Sequence, residues 1–192
     1  MQACRLTATE LACRRGERLL FRGLALDLSG GAALQVKGAN GTGKSSLIRI
    51  LGGLLAPFAG TVARTGTLAL LDERPALDPA LPLARALSFW QRLDGAGDAQ
   101  LARLGLTALG EVPVRYLSTG QKKRAALARL LGQEAAIWLL DEPLNGLDTR
   151  GVALVEALVA EHCAAGGLAL VASHQPIALP GGQAIDLADF AA

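Results

Sequence analysis

Gly38-Ala39-Asn40-Gly41-Thr42-Gly43-Lys44-Ser45 fits the pattern G-x-x-x-x-G-K-[ST], a spacing suited to phosphate. Glycines let such a loop turn its backbone N–H groups inward around phosphate oxygens. Lys44 can then reach the β- and γ-phosphates of a nucleotide, and the Ser45 hydroxyl can ligate Mg²⁺. Ser46 follows and closes the candidate nucleotide-binding set, Gly38 to Ser46. A phosphate loop needs a strand before it and a helix after it. Ala33-Leu34-Gln35-Val36-Lys37 alternates as a strand does, and Leu47, Ile48, Ile50, Leu51, Leu54 and Leu55 recur at helical spacing. Phosphate would sit at that helix's N-terminus, where unpaired N–H groups and the helix dipole favour anions.

Ile137-Trp138-Leu139-Leu140-Asp141-Glu142 is an apolar run closing on two acids, the form of a buried parallel strand. Asp141 is placed to hold Mg²⁺ through the ion's water shell, beside Ser45. Glu142 is placed to polarise an attacking water. Such strand ends are common, and this one acquires meaning from the phosphate loop upstream.

Leu117-Ser118-Thr119-Gly120-Gln121 precedes a helix read as Gln121 to Leu131, with Ala125, Leu127, Ala128, Leu130 and Leu131 free to pack. Ser118 and the N–H groups of the first turn would form a second anion site. The simpler reading is a serine helix cap.

The order of phosphate loop, this pentapeptide and an Asp-Glu strand resembles the ATP-binding-cassette (ABC) ATPases, across essentially the whole chain. The pentapeptide matches the family's LSGGQ signature except at Thr119. The resemblance implies ATP as ligand, Mg²⁺ as cofactor and a second copy of the chain as partner. Ser118, Thr119, Gly120 and Gln121 would reach the ATP held by that second copy. Asn145-Gly146-Leu147-Asp148 stands at the family's D-loop, so Asp148 would lie at the dimer interface. His174, directly after the apolar strand Leu168–Ser173, matches the switch histidine that contacts the γ-phosphate and steadies the water. His162 lacks such a context and reads as a surface helix residue.

A narrower resemblance rests on Leu11-Ala12-Cys13-Arg14-Arg15-Gly16-Glu17-Arg18-Leu19-Leu20-Phe21 and Ser173-His174-Gln175-Pro176-Ile177. Both phrases are similar to the ATP-binding subunits of haem exporters in cytochrome c maturation. That implies a peripheral, ATP-hydrolysing motor subunit on the cytoplasmic face of a bacterial inner membrane, working with integral membrane subunits. The alternatives are an ATP-binding subunit of another ABC transporter, or a soluble regulatory ABC ATPase without a membrane partner. The latter usually carries two cassettes or a long insertion.

The chain departs from the family at three places. Arg15 stands where an aromatic residue commonly stacks on adenine; its guanidinium stack would contribute about 0.5–2 kcal/mol, while Phe21 is expected in the core. Glu73 or Arg74 falls where the Q-loop glutamine is expected. Thr119 replaces glycine, and a β-branched residue there needs a negative φ.

The 192 residues suffice for one domain with a full core. A net charge of +2 argues against nucleic acid as a partner, since duplex binding needs a concentrated basic face. Lys122, Lys123, Arg124 and Arg129 read as a solvated helix face. Cys4, Cys13 and Cys163 are odd in number and far apart with no C-x-x-C, which argues against a metal cluster, a haem-attachment motif or a disulfide framework and for a reducing cytosol. Met1-Gln2-Ala3-Cys4-Arg5-Leu6 lacks the apolar core of a signal peptide. The uncharged stretch from His162 to Ile185 is broken by glycines and prolines, so it reads as a buried strand and loop rather than a membrane span.

The fold expected is α/β, a P-loop NTPase of ABC-ATPase type. It has a mostly parallel sheet flanked by helices, an N-terminal antiparallel β layer of short strands within residues 3–36, and a helical subdomain. The single nucleotide-binding domain spans 1–192, with the helical subdomain at about 74–131 inserted between 1–73 and 132–192. Leu83–Leu93 and Ala99–Leu104 read as its helices, and Gly151–Ala164 as the longest helix.

Overall fold

The computed structural model describes residues 4–73, 75–94 and 99–191. Arg74, one of the two residues expected at the Q-loop glutamine position, lies outside the described residues, as do Met1, Gln2 and Ala3.

Alternating apolar positions build the antiparallel layer. β1 (Arg5–Arg15) pairs with β2 (Arg18–Ser29) through the Gly16-Glu17 turn. β4 (Ala59–Thr65) lies along the other edge of β1, giving the order β2-β1-β4. Leu24 and Leu28 of β2 are buried between exposed neighbours, as period-two alternation requires. The short strands expected here are instead strands of 11 and 12 residues. The physical reason is a bulge: pairing on both edges of β1 slips around Glu10, whose φ is 51°, so one long strand bends without ending.

The second sheet is parallel, in the order β5 (Leu68–Leu71), β6 (Ile137–Asp141), β7 (Leu168–Ala172), β3 (Ala33–Lys37), β8 (Gln183–Asp186). Its inner strands are buried on both faces, hence their continuous apolar runs. Ile137 and Leu139 face one core with α1 (Lys44–Leu51) and the antiparallel sheet. Trp138 and Leu140 face the other, with α2 (Leu83–Asp94), α4 (Thr119–Gly132) and α5 (Thr149–Ala164). Two apolar layers on opposite faces of one sheet hold the strand ends, where the candidate site lies, in fixed register.

α4 begins two residues before the helix read from the sequence, because Ser118 caps it. α2 and the short α3 (Ala99–Arg103) pack beside α4. The aromatic pair of α2 splits. The Trp90 indole donates to the Ala76 carbonyl at 2.6 Å, with the Arg129 guanidinium 3.7 Å from its ring centroid. Phe89 meets Trp90 edge-on and leaves half its surface exposed.

His162 corrects the surface reading made from sequence. It is buried on α5, stacks on Trp138 with centroids 3.9 Å apart, and its Nε2 lies 3.2 Å from the Leu168 carbonyl. The face of α5 that carries Val155, Leu158 and Val159 also turns position 162 onto the sheet. Among the described residues, no helix is long and apolar enough to cross a membrane.

Candidate active site

The phosphate loop joins β3 to α1. Gly43, the residue before α1, has a φ of 110°, and a Cβ there would meet Leu20 and Phe21 at 3.2–3.3 Å, so glycine alone suits the position. Phe21 is fully buried, as expected. Lys44 is buried and donates to the carbonyls of Gly38 at 2.8 Å and Ala39 at 3.2 Å. Thr42 donates its hydroxyl to the Ala39 carbonyl. The loop is therefore folded around its own lysine, with Gly41 at its exposed rim and Ser45 and Ser46 opening the helix.

Glu142 joins the pieces. Its carboxylate lies 3.3 Å from Lys44 Nζ through Oε1 and 2.8 Å from His174 Nδ1 through Oε2. Three residues distant in sequence thus meet at the ends of β6, β7 and the phosphate loop. The Glu142 backbone has φ 45°, the left-handed region, which costs a non-glycine residue on the order of 1–3 kcal/mol. It is held there from both sides: its N–H donates to the Ala172 carbonyl at 2.8 Å, and its carbonyl accepts from Lys123 Nζ at 3.0 Å and from the Asn145 N–H at 3.4 Å.

Asp141 is buried beside it. Burial pushes its carboxyl above the usual carboxylate range, the neighbouring charges of Glu142 and Glu73 add to this, and the Ser45 hydroxyl and Arg49 oppose it. Its Oδ1 has no hydrogen-bond partner within the protein. A buried, unpartnered carboxylate oxygen adjoining the loop serine is a donor set that suits a hard cation such as Mg²⁺.

The signature segment is a capping box. The Gln121 N–H donates to Ser118 Oγ at 3.2 Å, and the Ser118 N–H donates to Gln121 Oε1 at 2.8 Å. Thr119 is the first helical residue and avoids the left-handed region, so the β-branched side chain is unstrained. Asp148 caps α5, accepting from the Gly151 N–H at 2.8 Å. The two segments touch within one chain: a Cβ on Gly146 would lie 2.6 Å from Thr119 Cγ2, and one on Gly120 would lie 2.7 Å from the Gly146 carbonyl.

The basic run after the signature is not the solvated face expected. Lys122 donates to the Arg115 carbonyl and Arg124 to the Leu104 carbonyl, while Lys123 is buried. Burial pushes the Lys123 ammonium below its usual range, against the opposing charges of Glu73, Asp141, Asp72 and Glu142. Helical phase is the reason: Lys123 lies one turn in, and its side chain reaches the Glu142 carbonyl just past the end of β6.

Sequence reasoning also missed Gln35, whose amide donates to the Gln175 carbonyl at 2.8 Å, and Gln175, whose amide reaches Asn145 Oδ1 at 3.3 Å. These bonds tie β3, the His174 segment and the 145–148 segment together. Gln35 was visible as the one polar side chain inside an apolar strand of a buried sheet. Arg15 is exposed at the end of β1.

The sequence profile of the ABC transporter family matches residues 21–145. The chain belongs to the ABC transporter family. Among curated family members it is 60% identical over 179 residues to the cytochrome c biogenesis ATP-binding export protein CcmA of Novosphingobium aromaticivorans, covering 93% of each chain. The corresponding CcmA of Sphingopyxis alaskensis is 52% identical, covering 88% of this chain and 90% of that one. Solved family structures agree in fold. A Pyrococcus furiosus ABC transporter ATP-binding protein superposes with a TM-score of 0.85 at 19% identity, covering 98% of this chain and all of that one. The Clostridium perfringens cbiO1, part of the ABC transporter complex cbiONQ, gives 0.72 at 26% identity, covering 88% and 78%. The α/β architecture with parallel and antiparallel sheets is thus the family's, and the chain is an ABC-type ATP hydrolase.

Proposed function

We infer that this protein is the ATP-hydrolysing subunit of a membrane ABC exporter that serves haem delivery for cytochrome c maturation. Its 60% identity to a cytochrome c biogenesis export protein supports the transport assignment. The observation that carries the chemistry is the Glu142 carboxylate seated between Lys44 and His174.

The reaction is phosphoryl transfer to water, in which the protein's work is positioning and charge neutralisation. The N–H groups of Gly38 to Ser46 and the ammonium of Lys44 hold the phosphates of ATP. Glu142 accepts a hydrogen bond from the attacking water, and His174 steadies it at the γ-phosphate. Ser45 and Asp141 would hold Mg²⁺, which when bound neutralises phosphate charge. The Lys44 ammonium has three donors, of which the Gly38 and Ala39 carbonyls take two, so phosphate would displace the Glu142 carboxylate as its third partner. Ser118, Thr119, Gly120 and Gln121 complete the site of a second copy, with Asp148 at the interface between the two. ATP closes that dimer and hydrolysis reopens it.

The helical segment, about 74–131, is the unit that moves against the core. Its α2 face offers a cavity of about 340 Å³ lined by Leu81, Arg85, Phe89 and Trp90, where a segment of the integral membrane subunits docks. The protein itself is peripheral to the bacterial inner membrane, on the cytoplasmic side where ATP is found. Expression of wild-type or Glu142→Gln protein in cells lacking the gene tests the assignment. Wild type restores c-type cytochromes and Glu142→Gln does not; normal cytochrome c in the deleted strain removes it.

A further inference from the structure

We propose that Lys123 is a positioning residue for hydrolysis, holding Glu142 in its working backbone conformation from the signature helix of the same chain. The proposal rests on the reading of Glu142 as the group that serves the water.

Glu142 sits in the left-handed region at φ 45°, and such a backbone persists only where its surroundings over-determine it. Its N–H is fixed by β7 through the Ala172 carbonyl. Its carbonyl takes its shorter bond, 3.0 Å, from Lys123 Nζ; the Asn145 N–H is at 3.4 Å. Behind this contact lies a cavity of about 230 Å³, lined by Asp72, Glu73, Thr119, Lys122, Lys123 and Asn145. Without the ammonium, the Glu142 carbonyl would keep only the long bond from the Asn145 N–H. Rotation of that peptide would swing the carboxylate away from Lys44 and His174.

The placement of Lys123 gives it a second consequence. It lies one turn inside α4, whose first residues are Thr119 and Gly120. Whatever presses on the signature end of this helix moves the group that holds Glu142. Asp72 and Glu73, at the exit of β5, place negative charge beside the same ammonium. The helix that serves the partner copy's nucleotide and the segment at the Q-loop position therefore both bear on Glu142 through one side chain.

The test is steady-state ATPase kinetics on the chain assembled with its co-purifying membrane subunits, comparing wild type, Lys123→Met, Lys123→Arg, Lys123→Gln and Glu142→Gln. Lys123→Met should lower kcat by about ten- to a hundredfold, the scale of a small misplacement of a catalytic group, with the ATP KM within about twofold of wild type. Lys123→Arg keeps the charge and donor and should recover most of the rate. The Lys123→Met/Glu142→Gln protein should bind Mg-ATP as tightly as Glu142→Gln, because the defect is in turnover. Should Lys123→Met fail to fold by circular dichroism, Lys123→Gln decides by the same split of kcat from KM. A wild-type kcat in a folded Met or Gln variant, with Glu142→Gln inactive, overturns the role of Lys123 alone. Wild-type turnover by Glu142→Gln overturns the role of Glu142 and that of Lys123 with it.

Discussion

Lys44 and Glu142 form a buried ion pair at 3.3 Å, and an ion pair so placed is a poor source of stability but a good device for a site that must exchange partners. Lys44→Ala should lower ATPase activity by about a hundredfold or more, the loss typical of removing a charge-stabilising donor, and should weaken ATP binding. Wild-type turnover in that variant would remove the assignment of the loop. Glu142→Gln preserves shape but not basicity. We expect ATP affinity near wild type, turnover reduced by about 10²- to 10⁴-fold, and an ATP-dependent dimer visible by light scattering. These residues were legible in sequence because phosphate chemistry demands a fixed order of types within a short span. Lys123, Gln35 and Gln175 were not, because their roles come from contacts between segments: Lys123 with Glu142, Gln35 with Gln175 across 140 residues.

At the scale of elements, strand and helix periodicity located β3, β6, β7 and α1, α2 and α5 to within a few residues, since buried parallel strands and amphipathic helices write their burial into composition. The long β1 was not legible, because a bulge at Glu10 lets pairing continue through what looks like a break. Nor was the burial of His162, since a lone histidine gives no sign of the tryptophan it will stack on. Burial pushes that imidazole below its ordinary value of 6.5. The unfolded chain takes up a proton as pH falls through about 6.5 while the folded chain resists it, so this group costs stability in acid. His162→Phe keeps a ring against Trp138 and should flatten the fall of Tm between about pH 7 and 5. An unchanged slope would contradict the assignment. Contact between the signature and the 145–148 segment makes another element-level prediction. Gly146 has φ 77°, and an added Cβ would strike Thr119 Cγ2. Gly146→Ala should cost about 1–3 kcal/mol and weaken the ATP-dependent dimer. Thr119→Ser removes that methyl and should restore part of the dimer in the double variant; no restoration would mean the two segments do not act together.

On the scale of the whole molecule, the working site as proposed is divided between two copies and coupled to membrane subunits through a surface. Phe89 is the aromatic residue of α2 left half exposed, beside Arg85 and Arg92 at the rim of the α2 cavity. Aromatic and arginine side chains grouped around a recess are favoured anchors at protein interfaces. Trp90 is a different case: its indole bond to Ala76 and its contact with Arg129 occupy it within the fold. Phe89→Asp should therefore leave the thermal midpoint and the ATPase rate of the isolated chain close to wild type. In membranes it should reduce co-purification of the integral subunits, remove their effect on ATP turnover, and lower c-type cytochrome levels. Trp90→Ala should instead lower the thermal midpoint first, because the ring packs against the core and is held by Ala76 and Arg129. A Phe89→Asp protein that still assembles and still supports cytochrome c would move the docking site off this face of α2. Loss of stability equal to that of Trp90→Ala would mean that Phe89 serves the fold rather than the partner.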